Sequence, residues 1–432
     1  MNVMILDGSQ SDDPTGRTLV STVQQMLKDR GLASTLVTLR EKKIANCMGD
    51  FNCWIRTPGR CIVRDDNIEL AERYIGSDLV IFLTPVSFGG YASTGKRMID
   101  HLIQNTSPFF TTIDGELHHK PRYPSYPDIL TIGWLDEPDS RTESVFRHLS
   151  WRNAINTYSN VHVSGTVCHN RSEEKLKTTV EELINRVLRK EPDMPPASLP
   201  DTPFSPTVFP PASRALLLVG SPRREKSTSA SLGGYLFERM RQCGVQTETL
   251  HIYPSIDTGA LSASVGSSDL VVLAFPLYVD GLPAPVVAVL ETLARSGSLT
   301  ASPVRFAAIA NCGFPEASQN DTALAICAEF ARAAGFCWMG SLSLGGGEGL
   351  IHGVPLEKLD GRAIPVKRAL DLAAQALAKG RPVPAEAREL LSKPVIPSWL
   401  YTFFGGIGWK RQAAEFGMQK RLMERPYRHA VH

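Results

Sequence analysis

Short, wholly apolar runs alternate with amphipathic stretches along most of this chain. Residues 3–6 form the first run, followed by a Gly-Ser loop and a helical period over 15–30. Residues 35–39 predict a second strand, 65–76 a helix, 79–83 a continuous apolar strand and 93–103 another helix. Strands over 129–132 and 161–167 follow, with helices over 139–158 and 172–189. The rhythm then restarts. Strands are predicted over 215–219, 247–251, 269–274, 305–310 and 338–344, with helices over 227–242, 284–295 and 316–334. Apolar strands with polar-faced helices between them indicate parallel sheets covered on both faces, hence an α/β fold.

The two halves share more than periodicity. Ser77-Asp78-Leu79-Val80 matches Ser268-Asp269-Leu270-Val271, and Pro85 and Gly90 match Pro276 and Gly281. Internal duplication accounts for this, because periodicity alone does not repeat a proline and a glycine. Residues 191–213 hold eight prolines, a composition that propagates neither helix nor central strand. The expected organisation is a first domain over 1–190, a stiff Pro-rich linker over 191–213, a second domain over 214–380, and an aromatic and basic tail over 381–432.

Composition narrows the function classes. The chain has 432 residues, 43% hydrophobic and 21% charged, with a formal net charge of +2. That balance supplies no field for a polyanion, so nucleic acid is not an expected partner. No run reaches the roughly 18–20 apolar residues of a spanning helix. The stretch over 395–409, broken by Pro397 and Gly405-Gly406, reads as a docking segment. The N-terminus runs straight into a strand, and eight cysteines in this length form no disulfide framework. A cytoplasmic location is expected.

Each half opens with strand, Gly-Ser, polar loop and helix: Gly8-Ser9-Gln10-Ser11 through Thr18, and Gly220-Ser221-Pro222-Arg223 through Ser227-Thr228. Hydroxyls and backbone N–H groups at a helix start favour a phosphate, whereas the bland reading is plain helix capping. Neither loop ends in Gly-Lys-Ser/Thr, and neither is Gly-x-Gly-x-x-Gly.

After the third strand comes Thr84-Pro85-Val86-Ser87-Phe88-Gly89-Gly90-Tyr91-Ala92-Ser93-Thr94-Gly95-Lys96, and residues 58–66 add Pro58-Gly59-Arg60-Cys61 ahead of Asp65-Asp66. With Gly8-Ser9, these motifs resemble the NADPH-dependent FMN reductase family of flavodoxin-like proteins over most of residues 1–190. The resemblance implies two tandem flavodoxin-like three-layer domains, each with a parallel five-stranded sheet covered by helices. It also implies FMN as cofactor, NAD(P)H as reductant, and a quinone, nitro- or azo-aromatic, flavin or protein as electron acceptor. By that resemblance Ser9, Ser11 and Thr18 hold the FMN phosphate, and Pro85, Val86, Ser87, Phe88 and Gly89 approach the ring. Gly133 and Trp134, with Leu135-Asp136, close the pocket. In the second half, Ser221, Arg223, Ser227 and Thr228 take the phosphate role. Pro276, Leu277, Tyr278 and Val279 take the ring loop, and Asn311, Cys312 and Gly313 the last ring-side loop. Ser227, Lys226 and Val287 depart from the family pattern there, so a vacant second site is the alternative. Homodimerisation, or pairing of the two units within the chain, would complete a ring pocket; both stay open. A non-enzymatic flavin electron carrier and a scaffold with vacant sites are the rival functions.

Cys47, Cys53 and Cys61 share one loop with Asp50. Similar iron-sulfur flavoproteins carry a compact cysteine motif here, and Asp50 stands where it would place a further cysteine. The three are read as buried or redox-idle thiols with no metal, and Cys312 as the thiol that touches flavin. His118 and His119 read as solvated. Gly345-Gly346-Gly347-Glu348-Gly349 reads as a pocket mouth or as a turn. No catalytic acid or base is named, because backbone contacts and the cofactor carry the chemistry.

Overall fold

In the computed structural model the apolar runs become the strands of two parallel sheets. The structure describes residues 1–9, 13–170, 172–196, 198–201, 209–296 and 304–427. Ser11 therefore lies outside the described residues. The chain divides into a unit of residues 1–199 plus 402–432 and a unit of residues 200–401.

The first unit contains β1 (Asn2–Asp7), β2 (Ala33–Thr38), β3 (Leu79–Ser87), β4 (Gly90–Tyr91), β5 (Thr106–Ile113), β6 (Glu116–Pro121), β7 (Asp128–Leu135) and β8 (His162–Cys168). Its main sheet runs β2-β1-β3-β7-β8, all parallel, with β4 turned back antiparallel on β3. Val3, Ile5, Leu79, Ile81, Leu130, Ile132 and Val163 point into a core sealed by Leu19, Val23 and Leu27 on one helix and Val180 and Ile184 on another. Those helices, Pro14–Asp29 and Glu173–Leu188, present apolar residues every three or four positions.

The second unit contains β9 (Arg214–Val219), β10 (Gln246–His251), β11 (Leu270–Pro276), β12 (Arg305–Asn311) and β13 (Cys337–Leu344), in the order β10-β9-β11-β12-β13 and again all parallel. Leu217, Val219, Val272 and Ile309 meet Leu232 and Leu236 of the helix Thr228–Gln242 in its core. In each sheet the first strand is flanked by the second on one side and the third on the other. This is the flavodoxin-like doubly wound order, whose ligand crevice lies at the carboxyl ends of the strands, at the switch point between first and third. Both units are thus flavodoxin-like α/β folds.

Residues 381–432, read as one tail, divide in the structure. Ala387 and Leu391 of the helix Ala385–Ser392 enter the second core. Ala413 and Leu422 pack on Trp54 and Ile55 of the first unit. The two ends of the Pro-rich segment are pinned. Asp193 accepts from Ser164 N and Oγ (2.8 and 2.7 Å), and Phe209 and Ala212 donate to Gly380 and Ala378. Residues 106–121, over which the sequence pattern predicts no element, form an antiparallel hairpin, turning at Asp114 and Gly115 with φ of 50° and 87°. Among the described residues no helix is long and apolar enough to cross a membrane.

Candidate functional site

The loops that follow β1, β3 and β7 lie at one end of the first sheet, and polar contacts tie them together. Gly8 N donates to Leu83 O (2.8 Å), holding the first loop against β3. Ser9 is buried; its N–H donates to Asp7 Oδ1 (2.9 Å), and its Oγ accepts from Arg40 Nη1 (2.9 Å), which also pairs with Asp7 (3.0 Å). Asp13 caps the helix Pro14–Asp29 through Gly16 N (2.9 Å) and accepts from the Trp134 indole (2.8 Å). Thr15 is hydrogen-bonded to His169. Thr18 sits half-buried on the second turn. Ser9 is therefore an internal clasp. Arg40 and Asp13, at separations no motif prescribes, are the charged groups beside it that sequence reading missed.

The Pro85 segment is not the irregular loop expected. β3 continues through Pro85, Val86 and Ser87, then reverses at Phe88 and Gly89 (φ 56° and 83°) to pair Ser87 with Gly90 and Val86 with Tyr91. Two consecutive left-handed residues make the tight hairpin turn that suits twisted strands. Pro85, Val86, Ser87 and Phe88 are half-buried, whereas Gly89 is fully packed. A Cβ on Gly89 would lie 2.6 Å from Val145 Cβ, so the turn is seated on the helix Ser140–Asn156. Gly133 and Trp134 likewise belong to β7 instead of a loop. A Cβ on Gly133 would lie 2.5 Å from Val86 Cγ2, so its bareness lets β7 and the hairpin approach closely. Behind the hairpin, Lys96 and Asp100 form a buried ion pair one helical turn apart.

The second unit builds the same device. Tyr278 pairs with Gly281 across Val279 and Asp280, at φ of 44° and 56°. A β-branched residue at positive φ is strained, and such strain is retained where the surroundings fix it. Leu277 N donates to Asn311 O (2.8 Å), and Pro276, Leu277, Tyr278 and Val279 are half-buried. Ser227 caps the helix Thr228–Gln242 through Ala230 N (3.0 Å) and also donates to Arg224 O. Ser221 is buried. Arg223 forms a two-point ion pair with Glu348, and Thr228 Oγ1 lies 3.5 Å from the same carboxylate. Asn311 is structural, donating to Ser229 Oγ (2.8 Å) and Phe275 O (3.0 Å). Cys312, read as facing flavin, instead turns its thiol onto Phe314 O (3.3 Å), and burial pushes its pKa up to about 12. Gly313 lies near the Tyr401 hydroxyl.

These crevices frame the comparisons. Residues 1–124 match the NADPH-dependent FMN reductase family. That stretch carries the first loop and the Pro85 hairpin of the first unit. An iron-sulfur flavoprotein of Methanocaldococcus jannaschii is 26% identical over 100 residues, 23% of this chain and 51% of that protein. One from Methanosarcina thermophila is 23% identical over 103 residues, 24% of this chain and 53% of that protein. The chain spans about half the length of these relatives. Among solved structures, an FMN-dependent NADH-azoreductase from Bacillus anthracis aligns with a TM-score of 0.31 at 14% identity, over 38% of this chain and 99% of that one. An NAD(P)H:quinone oxidoreductase from Methanothermobacter marburgensis aligns at 0.29 and 12%, over 38% and 94%.

The cysteine loop is packed from within. Cys47, Cys53, Cys61 and Asp50 lie within electrostatic reach of one another, and burial raises all three thiols, Cys47 to about 12. Among the described residues no group of three or more His, Cys, Asp or Glu is placed to hold a metal ion. Phe51, Cys53 and Trp409 pack against the buried cluster that holds Trp54, with Trp54 and Trp409 edge-to-face at 5.2 Å. His118 and His119 are not solvated. His118 bonds Asn156 (2.8 Å) beside Glu116, and the His119 ring lies 4.5 Å from that of Trp54.

Proposed function

We propose that the first unit binds FMN at its switch-point crevice and that the chain is an NAD(P)H-dependent flavin oxidoreductase. The observation that carries this reading is the Phe88-Gly89 hairpin at the end of β3, the strand paired with β1, within the stretch that matches the FMN reductase family. Its half-buried Pro85, Val86, Ser87 and Phe88 offer a rigid backbone edge and one exposed flank to a planar ring, and the packed Gly89 and Gly133 fix that edge in place. Such a cradle fits an isoalloxazine, since rigid placement of backbone donors is what the protein contributes to flavin chemistry.

For the phosphate end, Ser9, Ser11 and Thr18 remain the proposed hydroxyls, and Arg40 is added as the nearby cation, already held at Ser9 Oγ. The Asp13 carboxylate opposes an anion at the helix start, and its bonds from Gly16 N and the Trp134 indole disperse part of its charge. FMN, when bound, supplies hydride acceptance and the onward release of electrons. The buried Lys96–Asp100 pair keeps the helix behind the ring edge locked, because separating two buried charges is costly. We assign the acceptor to a quinone, nitro- or azo-aromatic, free flavin or redox protein, in the cytoplasm.

The test is anaerobic addition of NADPH, then NADH, to the flavin-loaded full chain while the absorbance near ~450 nm is followed. Bleaching within the turnover time supports the reductase. Bound flavin that neither nucleotide bleaches would leave an electron carrier, and a chain unable to bind flavin would leave a scaffold.

A further inference from the structure

The crevice of the second unit sits where the first unit's does, at the ends of β9, β11 and β12, with the loop after β13 beside them. Two side chains of the same unit stand in it. Glu348, in the glycine-rich turn after β13, reaches back to the loop after β9. It accepts from Arg223 Nη1 (2.8 Å) and Nη2, its second oxygen is 3.5 Å from Thr228 Oγ1, and His352 Nδ1 is 2.7 Å away. Arg223, Thr228 and the start of the helix Thr228–Gln242 are the groups that would take a phosphate, and they already take a carboxylate. The pairing acts on both groups. Against its burial, Glu348 is held below the usual carboxylate range by Arg223 and His352, and Arg223 is raised by Glu348.

The ring side is occupied in the same manner. Ser398 Oγ donates to Glu316 Oε1 (3.2 Å), anchoring the segment that carries Tyr401 to the loop after β12. The Tyr401 hydroxyl would be 3.8 Å from a Cβ on Gly313. Burial raises its pKa, and Cys312, Glu316 and Glu348 raise it further, which places the phenol among those three groups. The Tyr401 phenol thus lies at the ring-side loop, within electrostatic reach of the carboxylate that stands at the anion position.

We propose that the second unit is self-liganded: Glu348 stands in for the phosphate and Tyr401 for the ring of a planar phosphate ester, closing the site. The contact is autoinhibitory, and its removal opens a site for an aromatic phosphate monoester. The proposal rests on the flavin reading only for its probe.

The experiment titrates the full-length wild type and an E348Q/Y401A variant with FMN and with riboflavin, counting bound ligand by ultrafiltration. The variant should bind about one more FMN per chain than the wild type and prefer FMN over riboflavin at the added site by ~10-fold, the value of one charge-assisted pair. An increase from none to one would support self-liganding while removing FMN from the first unit. Equal counts in the two proteins, two FMN in the wild type, or an added site indifferent to the phosphate would overturn it. Should the double variant fail to fold, E348Q alone is read with inorganic phosphate. Its melting temperature should rise with phosphate more than the wild type's, and identical responses would overturn the anion half.

Discussion

Gly133 shows how a residue without a side chain can set a site. A Cβ there would lie 2.5 Å from Val86 Cγ2 and 2.8 Å from Phe146. Gly133→Ala should therefore cost about 1–3 kcal/mol of first-unit stability, as overpacking does. It should also push Val86 and the hairpin outward, and chemical denaturation with a flavin titration checks both. His119 makes a different demand. Burial lowers its pKa to about 3 from 6.5, so on acidification the unfolded chain takes the proton first. Its contribution is fully present above the unfolded value and is lost progressively as pH falls toward the folded one. His162 is shifted in the same direction by burial. Denaturation between pH 7 and 4 should show first-unit stability falling, with His119→Phe removing up to about 1 kcal/mol per pH unit of that slope. An unchanged slope would mean that His119 is not held neutral. The contacts that the sequence does not announce share a cause. Arg40 meets Asp7 across 33 positions, Trp134 meets Asp13 across 121, and Arg223 meets Glu348 across 125. No spacing rule reaches that far.

Among elements, the apolar parallel strands were legible because burial on both faces leaves little room for polar residues. The hairpin β5–β6 was not, although Asp114-Gly115 is a two-residue turn signal. Pro108 and the register shift between Thr106 and Phe110 break the alternation that would have announced a strand. The Pro85 segment, which the family resemblance makes a ring-side loop, continues the strand instead, although a proline is uncommon in a strand interior. In the structure Pro85 lies near the strand's end and still keeps register with Trp134 of β7. The aromatic C-terminal stretch showed its packing habit but not its target. That target is fixed in part by Arg122, fully buried, whose guanidinium donates to Gln104 O, Thr106 O, Leu422 O and Glu424 O at 2.6–3.2 Å. Arg122→Met strands those carbonyls and should cost at least about 3 kcal/mol. Limited proteolysis should then release residues 402–432 before the sheet is cut, whereas wild-type protection in the variant would contradict this role.

Over the whole molecule, one strand order is used twice, and the two copies differ in what fills the crevice. The first keeps Gly89 in its turn and Lys96 behind it, while the second has Asp280 in the turn and Val287 in the helix, with Glu348 and Tyr401 at its loops. The proposed flavin site lies in the first unit. Its most direct measurement is FMN bound per full-length chain, by equilibrium titration followed by acid release, in the wild type, in Gly133→Ala and in Arg223→Ala. About one FMN is expected in the wild type and in Arg223→Ala, with affinity weakened ~10-fold or more in Gly133→Ala. Loss of FMN in Arg223→Ala with full binding in Gly133→Ala would place the flavin in the second unit and rule out the first-unit site.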